Sequence, residues 1–292
     1  MDLGLTNATA VVVGGGRGMG LASARCLADD GARIAIIARS PGDLDAATAD
    51  LTDRGSPDAV GIVADIRDAD HVNAVFADLG ERWNGELNVL VNAVGPSAVG
   101  GFEDLSDEQW SQAFDEGVMG MVRCVRSALP LLRKAEWARI VNFSAHSTQR
   151  QSVILPAYTA AKAALTSVSK NLSLLLAKDE ILVNVVSPGS IASESLVGWA
   201  TSVGVDGNDP YRLMDAIAEH FGHPAHLPRA GLPHEMGSVV AFLASRCNSY
   251  MTGANAMSMV ARTSPSGWRA SGFRPFARRR EGRTDSCRMQ YR

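Results

Sequence analysis

Six short apolar runs, most of them rich in β-branched residues, recur along the first 190 residues, and each is followed by a stretch of helical composition. The runs are "ATAVVVG" (8–14), "RIAIIA" (33–38), "AVGIVA" (59–64), "LNVLVNA" (87–93), "ARIVNFS" (138–144) and "ILVNVVS" (181–187). They are continuously apolar rather than alternating, the pattern of strands covered by helices on both faces. Helical stretches lie between them at 18–30, 42–54, 69–83, 107–134 and 157–178. Such a succession predicts an α/β fold: a doubly wound parallel sheet of about six to seven strands with helices on both faces. A further helix is expected over 232–245, with a proline near its start. No Pro/Gly/Ser-rich linker and no internal repeat divides the run, so residues 1–256 read as one domain. Within it, 193–226 is small-residue-rich and then helical, and is expected to form a lid over a substrate.

The first strand runs into "VVVGGGRGMG", which places Gly14, Gly18 and Gly20, with Arg17 and Met19 between them, at the mouth of a helix. Glycines there permit a tight turn and let a pyrophosphate approach backbone N–H groups at the positive helix end. The strand-to-helix context gives the cluster its weight, because a lone glycine cluster is a weak signal. The second strand ends in Ala38 and Arg39, where an NAD site of this architecture carries an acid for the ribose 2′-OH. Arg39 and Arg17 instead suit a 2′-phosphate through charge-assisted bonds, so NADP(H) is favoured over NAD(H).

"FSAHSTQRQSVILPAYTAAK" (143–162) ends in Tyr158 and Lys162, four positions apart and so on one helix face. An ammonium beside a phenol favours the phenolate and would lower the tyrosine's pKa, which makes Tyr158 a candidate acid/base. A hydroxyl helper upstream could be Ser144 or Ser147, on either side of Ala145. Strand parity turns Ser144 away and leaves Ser147 on the side of Ala145, so Ser147 is preferred. His146 is a third donor in reach.

These residues resemble the short-chain dehydrogenases/reductases, from about residue 5 to 256. The glycine loop is similar to TGxxxGxG with Val13 for the threonine. "ADI" (64–66) carries Asp65 and Ile66 where that family meets the adenine, and "VNAVG" (91–95) is similar to NNAG, with Asn92, Ala93 and Gly95. "YTAAK" matches YxxxK, and "SPGSIAS" (187–193) resembles PGxIxT, with Pro188, Gly189, Ile191 and Ser193 holding the nicotinamide carboxamide. The resemblance implies a Rossmann fold, hydride transfer between nicotinamide and a carbonyl or secondary alcohol, and a homo-tetramer or dimer. Tyr158 would move the substrate proton, and Lys162 would also hold the nicotinamide ribose. The substrates implied are a 3-oxoacyl thioester, a steroid or another apolar ketone, with Leu196, Val197, Trp199, Tyr211, Leu213 and Met214 as an apolar wall. Two positions depart: the family's serine is Ala145 and its central-helix asparagine is Gly117. A second reading is therefore a nucleotide-binding sensor or scaffold with little turnover.

Composition bounds the partners. Four scattered cysteines form neither a disulfide framework nor a zinc pattern, and no metal site is expected. No apolar run is long enough to span a bilayer and the N-terminus lacks a basic leader, so a cytoplasmic protein without membrane contact is expected. The net charge of −3 conceals a tail, 257–292, with nine arginines, no lysine and two acids. It has no amphipathic period, and is read as a disordered segment rather than a nucleic-acid binder. After "YMTGAN" (250–255) the family's closing pattern stops. Met257–Arg262 can be encoded so that a shifted frame reads Val-Asp-Gly-Gly-Ser, which suggests out-of-frame translation of the tail.

Overall fold

The six apolar runs are strands, and a seventh short strand joins them at one edge of the sheet. In the computed structural model, which describes residues 2–221 and 227–257, these are β1 (Thr9–Val13), β2 (Arg33–Ala38), β3 (Ala59–Val63), β4 (Val89–Asn92), β5 (Ala138–Phe143), β6 (Ile181–Ser187) and β7 (Asn255–Met257). Their order is β3-β2-β1-β4-β5-β6-β7, and every neighbouring pair is parallel. The seventh strand, where the family's closing pattern breaks off in the sequence, is three residues long and pairs with Val185–Ser187. The expectations for 222–226 and for the tail beyond Met257 lie outside the described residues.

Successive strand residues feed two separate cores. Ala10, Val12, Ile34 and Ile36 pack on one face against α1 (Gly18–Asp29), α2 (Pro41–Asp53) and the later α9 (Pro233–Ala244). Val11, Val13, Ala35 and Ile37 pack on the other against α3 (Ala69–Arg82), α5 (Gly120–Lys134) and α6 (Pro156–Leu175). Both strand faces are thus apolar, which is why the runs do not alternate. Full burial of a side chain such as Leu27 or Leu90 contributes about 1.5–3 kcal/mol.

The stretch expected as one helix over 107–134 is interrupted. It comprises α4 (Asp107–Phe114), a π-helical turn (Asp115–Met119) and α5. Ser106 and Gln109 close a reciprocal capping box at its start. The sequence pattern fits a helix throughout and carries no mark of the one-residue offset. Beyond β6, α7 (Glu194–Ser202) and α8 (Pro210–Phe221) close a small core of their own around Ala200, Leu213, Met214 and Ile217.

The order in which strands are added reverses between β1 and β4, whose terminal residues Val13 and Asn92 are register partners. An α/β sheet opens a crevice at such a switch point, beyond the carboxyl ends of the strands. Below it, Asn92 Nδ2 donates to Asn142 Oδ1 (2.8 Å) and Asn142 Nδ2 to Ser169 Oγ (2.9 Å), joining β4, β5 and α6 through buried amides. Replacing Asn142 with leucine leaves the Asn92 donor unpaired, a cost of about 1–3 kcal/mol. A lower urea midpoint with an unchanged slope is the expected outcome.

Candidate active site

The crevice is a cleft of about 600 Å³ lined at one end by the glycine loop and at the other by Ala93 and Gly95. Gly14 leaves β1 at φ +79°, a left-handed conformation that favours glycine. A Cβ at Gly20 would lie 2.1 Å from the Gly14 carbonyl oxygen, so the loop can close on the helix only with glycine there. Met19, partly buried against the core, and Ile66 complete this end. A narrow backbone cradle at the N-terminus of α1 fits a dinucleotide's pyrophosphate, with Gly14, Gly18 and Gly20 as the residues that would hold it.

Three guanidiniums line the cleft, and each is engaged differently. Arg17 Nη1 lies 3.8 Å from Glu194 Oε2, at the start of α7. Arg39 is exposed and makes no hydrogen bond or ion pair among the described residues. Arg67 grips Asp65 with Nε at 2.9 Å and Nη2 at 2.6 Å, and its Nη1 is 3.9 Å from Glu116 Oε1. The Arg67 hydrogen bonds hold the Asp65 carboxyl down at about 2, and it stays ionised. Arg67 and Glu116 were not singled out in the sequence. An arginine two positions after the acid of "ADIR" was a usable signal for the first, whereas nothing local marks the second.

Tyr158 and Lys162 converge on Gly95: a methyl there would sit 3.0 Å from Lys162 Nζ and 3.9 Å from Tyr158 Cε2. Lys162 is 2% exposed, and its Nζ donates to the carbonyls of Phe143 (2.7 Å) and Val94 (3.1 Å). The expectation that Lys162 lowers the tyrosine's pKa is corrected here. Burial pushes the Tyr158 phenol up to about 12 and the Lys162 ammonium down to about 8, and the ammonium's hydrogen bonds go to backbone oxygens rather than to the phenol.

Around the pair, the candidate hydroxyls separate. Ser144 Oγ faces α6, sharing a 2.6 Å hydrogen bond with Thr166 Oγ1 and donating to the Lys162 carbonyl at 3.1 Å, as strand parity requires. Ser147 lies in the short turn His146–Thr148, and its buried Oγ has no partner. His146 is buried rather than solvated. Its backbone N–H donates to the Pro188 carbonyl, its Nε2 has no partner, and burial lowers its pKa. Asn92 sits below the cleft with its amide on Asn142, not at the cleft wall. Ala145 is buried in extended conformation. Gly117 is closed in: a Cβ there would meet Ala161 Cβ and Pro96 Cδ, each at 3.0 Å.

The loop after β6 is fixed by the segment before α9. Ala192 N donates to the Gly231 carbonyl and Gly231 N to that of Ser190, forming an isolated bridge at Ile191. Glu235 accepts from both Arg229 terminal nitrogens and from Leu232 N, and these bonds hold its carboxyl at about 2. Pro188 and Gly189 enter this loop and Ser193 ends it as the N-cap of α7. The expected apolar wall is partly corrected. Leu213 and Met214 are buried in the α7–α8 core, with Leu196 and Trp199 packed on it, while Tyr211 is exposed. Three exposed apolar side chains, Val99 (70%), Phe102 (74%) and Val153 (87%), lie on the loops after β4 and β5, which the hydrogen bond from Gly100 N to the Ile154 carbonyl joins.

A dinucleotide cradle at a switch point, with a tyrosine and a buried lysine at its far end, defines a nucleotide-dependent oxidoreductase site. The family model described as enoyl-(acyl carrier protein) reductase matches residues 13–258, and the chain belongs to the short-chain dehydrogenase/reductase family. It is 30% identical over 249 residues to 2,3-dihydro-2,3-dihydroxybenzoate dehydrogenase of Bacillus subtilis (strain 168), covering 85% of this chain and 93% of that one. Among solved structures it is similar to L-sorbose reductase of Gluconobacter frateurii complexed with NADPH and L-sorbose, with TM-score 0.83 and 27% identity over 89% of this chain and 98% of that one. The fold is shared with an NAD+-bound xylitol dehydrogenase at TM-score 0.78 and 23% identity, over 88% and 99% of the two chains. The protein is thus an oxidoreductase acting on alcohol or ketone substrates with a nicotinamide cofactor. Among the described residues, no group of His, Cys, Asp and Glu could hold a metal, and no helix is long and apolar enough to cross a membrane.

The buried lysine gives a signature in stability. Its folded pKa near 8 lies below the ordinary 10.5, so between those values the unfolded chain binds more protons. Stability from this group therefore rises as pH climbs from about 8 to 10.5 and is lowest below that window. The size is on the order of 3 kcal/mol. Lys162→Met should remove the rise, seen as the difference between wild-type and variant denaturation curves across the window.

Proposed function

We propose that this protein is an NADP(H)-dependent reductase of apolar ketones, with Tyr158 as the group that protonates the carbonyl oxygen. The observation that carries the reading is the meeting of Tyr158 and Lys162 beside Gly95, with burial keeping the phenol protonated at about 12. A phenol that holds its proton suits donation in the direction of reduction. Nicotinamide bound along the cleft would supply the hydride. Lys162 fixes the helix that carries Tyr158 through the Phe143 and Val94 carbonyls, and is the group placed to hold the nicotinamide ribose. Ser147, whose buried hydroxyl lacks a partner, supports a role as donor to the substrate oxygen in place of Ala145. The hydrogen bonds of Ser144 to Thr166 and the Lys162 carbonyl favour Ser147 over it for that role.

For the cofactor, Asp65 and Ile66 border the adenine end, Ala93 and Gly95 the nicotinamide end, and the loop Pro188–Ser193 the carboxamide. Arg39, with no ion-pair partner, favours a nucleotide carrying a 2′-phosphate. The similarity to a reductase complexed with NADPH supports the same choice. The exposed Val99, Phe102 and Val153 favour a 3-oxoacyl thioester, a steroid or another apolar ketone over a polyol.

The test is NADPH oxidation against a panel of apolar ketones and oxoacyl thioesters. Tyr158→Phe should lower kcat by about 10²–10⁴, and Ser147→Ala by about 10²–10³. Tight NADPH binding, no turnover of any ketone and no difference in Tyr158→Phe would instead establish the sensor reading. Gly117, which brings no side-chain amide and is closely packed by Pro96 and Ala161, is what favours that alternative. For specificity, Arg39→Asp should raise the Kd for NADPH about 10- to 100-fold, as loss of a charge-assisted bond implies. It should leave NADH within a few-fold, and fluorescence titration reads both.

A further inference from the structure

Arg17 is the one guanidinium of the cleft that bonds across to the segment after β6. It is the N-cap of α1, and Glu194 is the first residue of α7, directly after the Pro188–Ser193 loop. Their 3.8 Å ion pair links the glycine loop to α7. Both side chains are largely exposed, at 69% and 65%, and can exchange partners without breaking a packed core. Arg67 cannot, since it is held by Asp65 through two nitrogens.

We propose that Glu194 sets nucleotide specificity by competing with a 2′-phosphate for Arg17. The inference rests on the reading of Arg17 and Arg39 as the 2′-phosphate site. A phosphate offers more charge and more acceptor oxygens than a single carboxylate at 3.8 Å, and takes the arginine when present. Without it, Arg17 stays on Glu194 and α7 stays tied to the glycine loop. Glu194 thus acts against NADP(H) and is neutral toward NAD(H), while the state of α7 reports which nucleotide is bound. The pair is individually weak, as exposed pairs are, and biases a choice rather than enforcing it.

The experiment measures Kd for NADPH and NADH by fluorescence titration at one ionic strength, for wild type, Glu194→Gln, Arg17→Gln and the double variant. Amide hydrogen exchange over 194–202 is followed in parallel. Glu194→Gln should tighten NADPH about two- to fivefold and leave NADH unchanged. The same change in the Arg17→Gln background should have no effect. In wild type, α7 should exchange faster with NADPH bound than with NADH, and the difference should vanish in Glu194→Gln. An equal effect on both nucleotides, or an effect that survives in Arg17→Gln, overturns the competition while the nucleotide reading stands. If wild type binds neither nucleotide, the reading of the cleft fails and the competition with it.

Discussion

The buried Lys162 ammonium holds the site together. It reaches the carbonyls of Phe143 and Val94, the points where two adjacent central strands end, from a helix packed on one face of the sheet. A cation removed from water is costly, and the two backbone oxygens offset only part of that cost, since burial still pushes the ammonium down to about 8. The charge therefore fixes the end of β4, the end of β5 and the first turns of α6 to one another. Tyr158, one turn earlier on α6, takes its position from that anchor, and the Asn92–Asn142–Ser169 chain repeats the same three-way link one layer below. The lysine's first role is structural, and its effect on the phenol is subordinate to burial.

Much of the fold was legible because its strands are covered on both sides. Unbroken apolar runs such as "RIAIIA" leave little choice but an interior strand, and their spacing leaves little choice of topology. The glycine loop and the Tyr158–Lys162 pair were legible for a different reason: each is a local constellation, complete within a few residues. What stayed hidden depends on partners distant in the chain. Arg67 with Glu116, and Arg17 with Glu194, are ion pairs that no spacing announces. The apolar residues of α8 were recognisable as facing something, but periodicity cannot say whether that is a ligand or α7. That the His146 ring is buried is likewise hidden, since nothing local in the sequence marks it.

The cleft's charge follows from the same distinction. Read as a list, Arg17, Arg39 and Arg67 make a strongly basic site. In the structure Asp65, Glu116 and Glu194 stand against two of them, while Arg39 makes no ion pair among the described residues and acts on Asp65 only through its charge. The field that a nucleotide meets is set by which arginines are already engaged, not by how many there are.

The enclosure of Gly117 limits what can stand in the π-helical turn. A Cβ there would lie 3.0 Å from both Pro96 Cδ and Ala161 Cβ, so a side chain such as asparagine fits only if these neighbours give way. Pro96, Gly117 and Ala161, far apart in sequence, thus share one patch of packing, and the effect of a substitution at any of them depends on the residues at the other two.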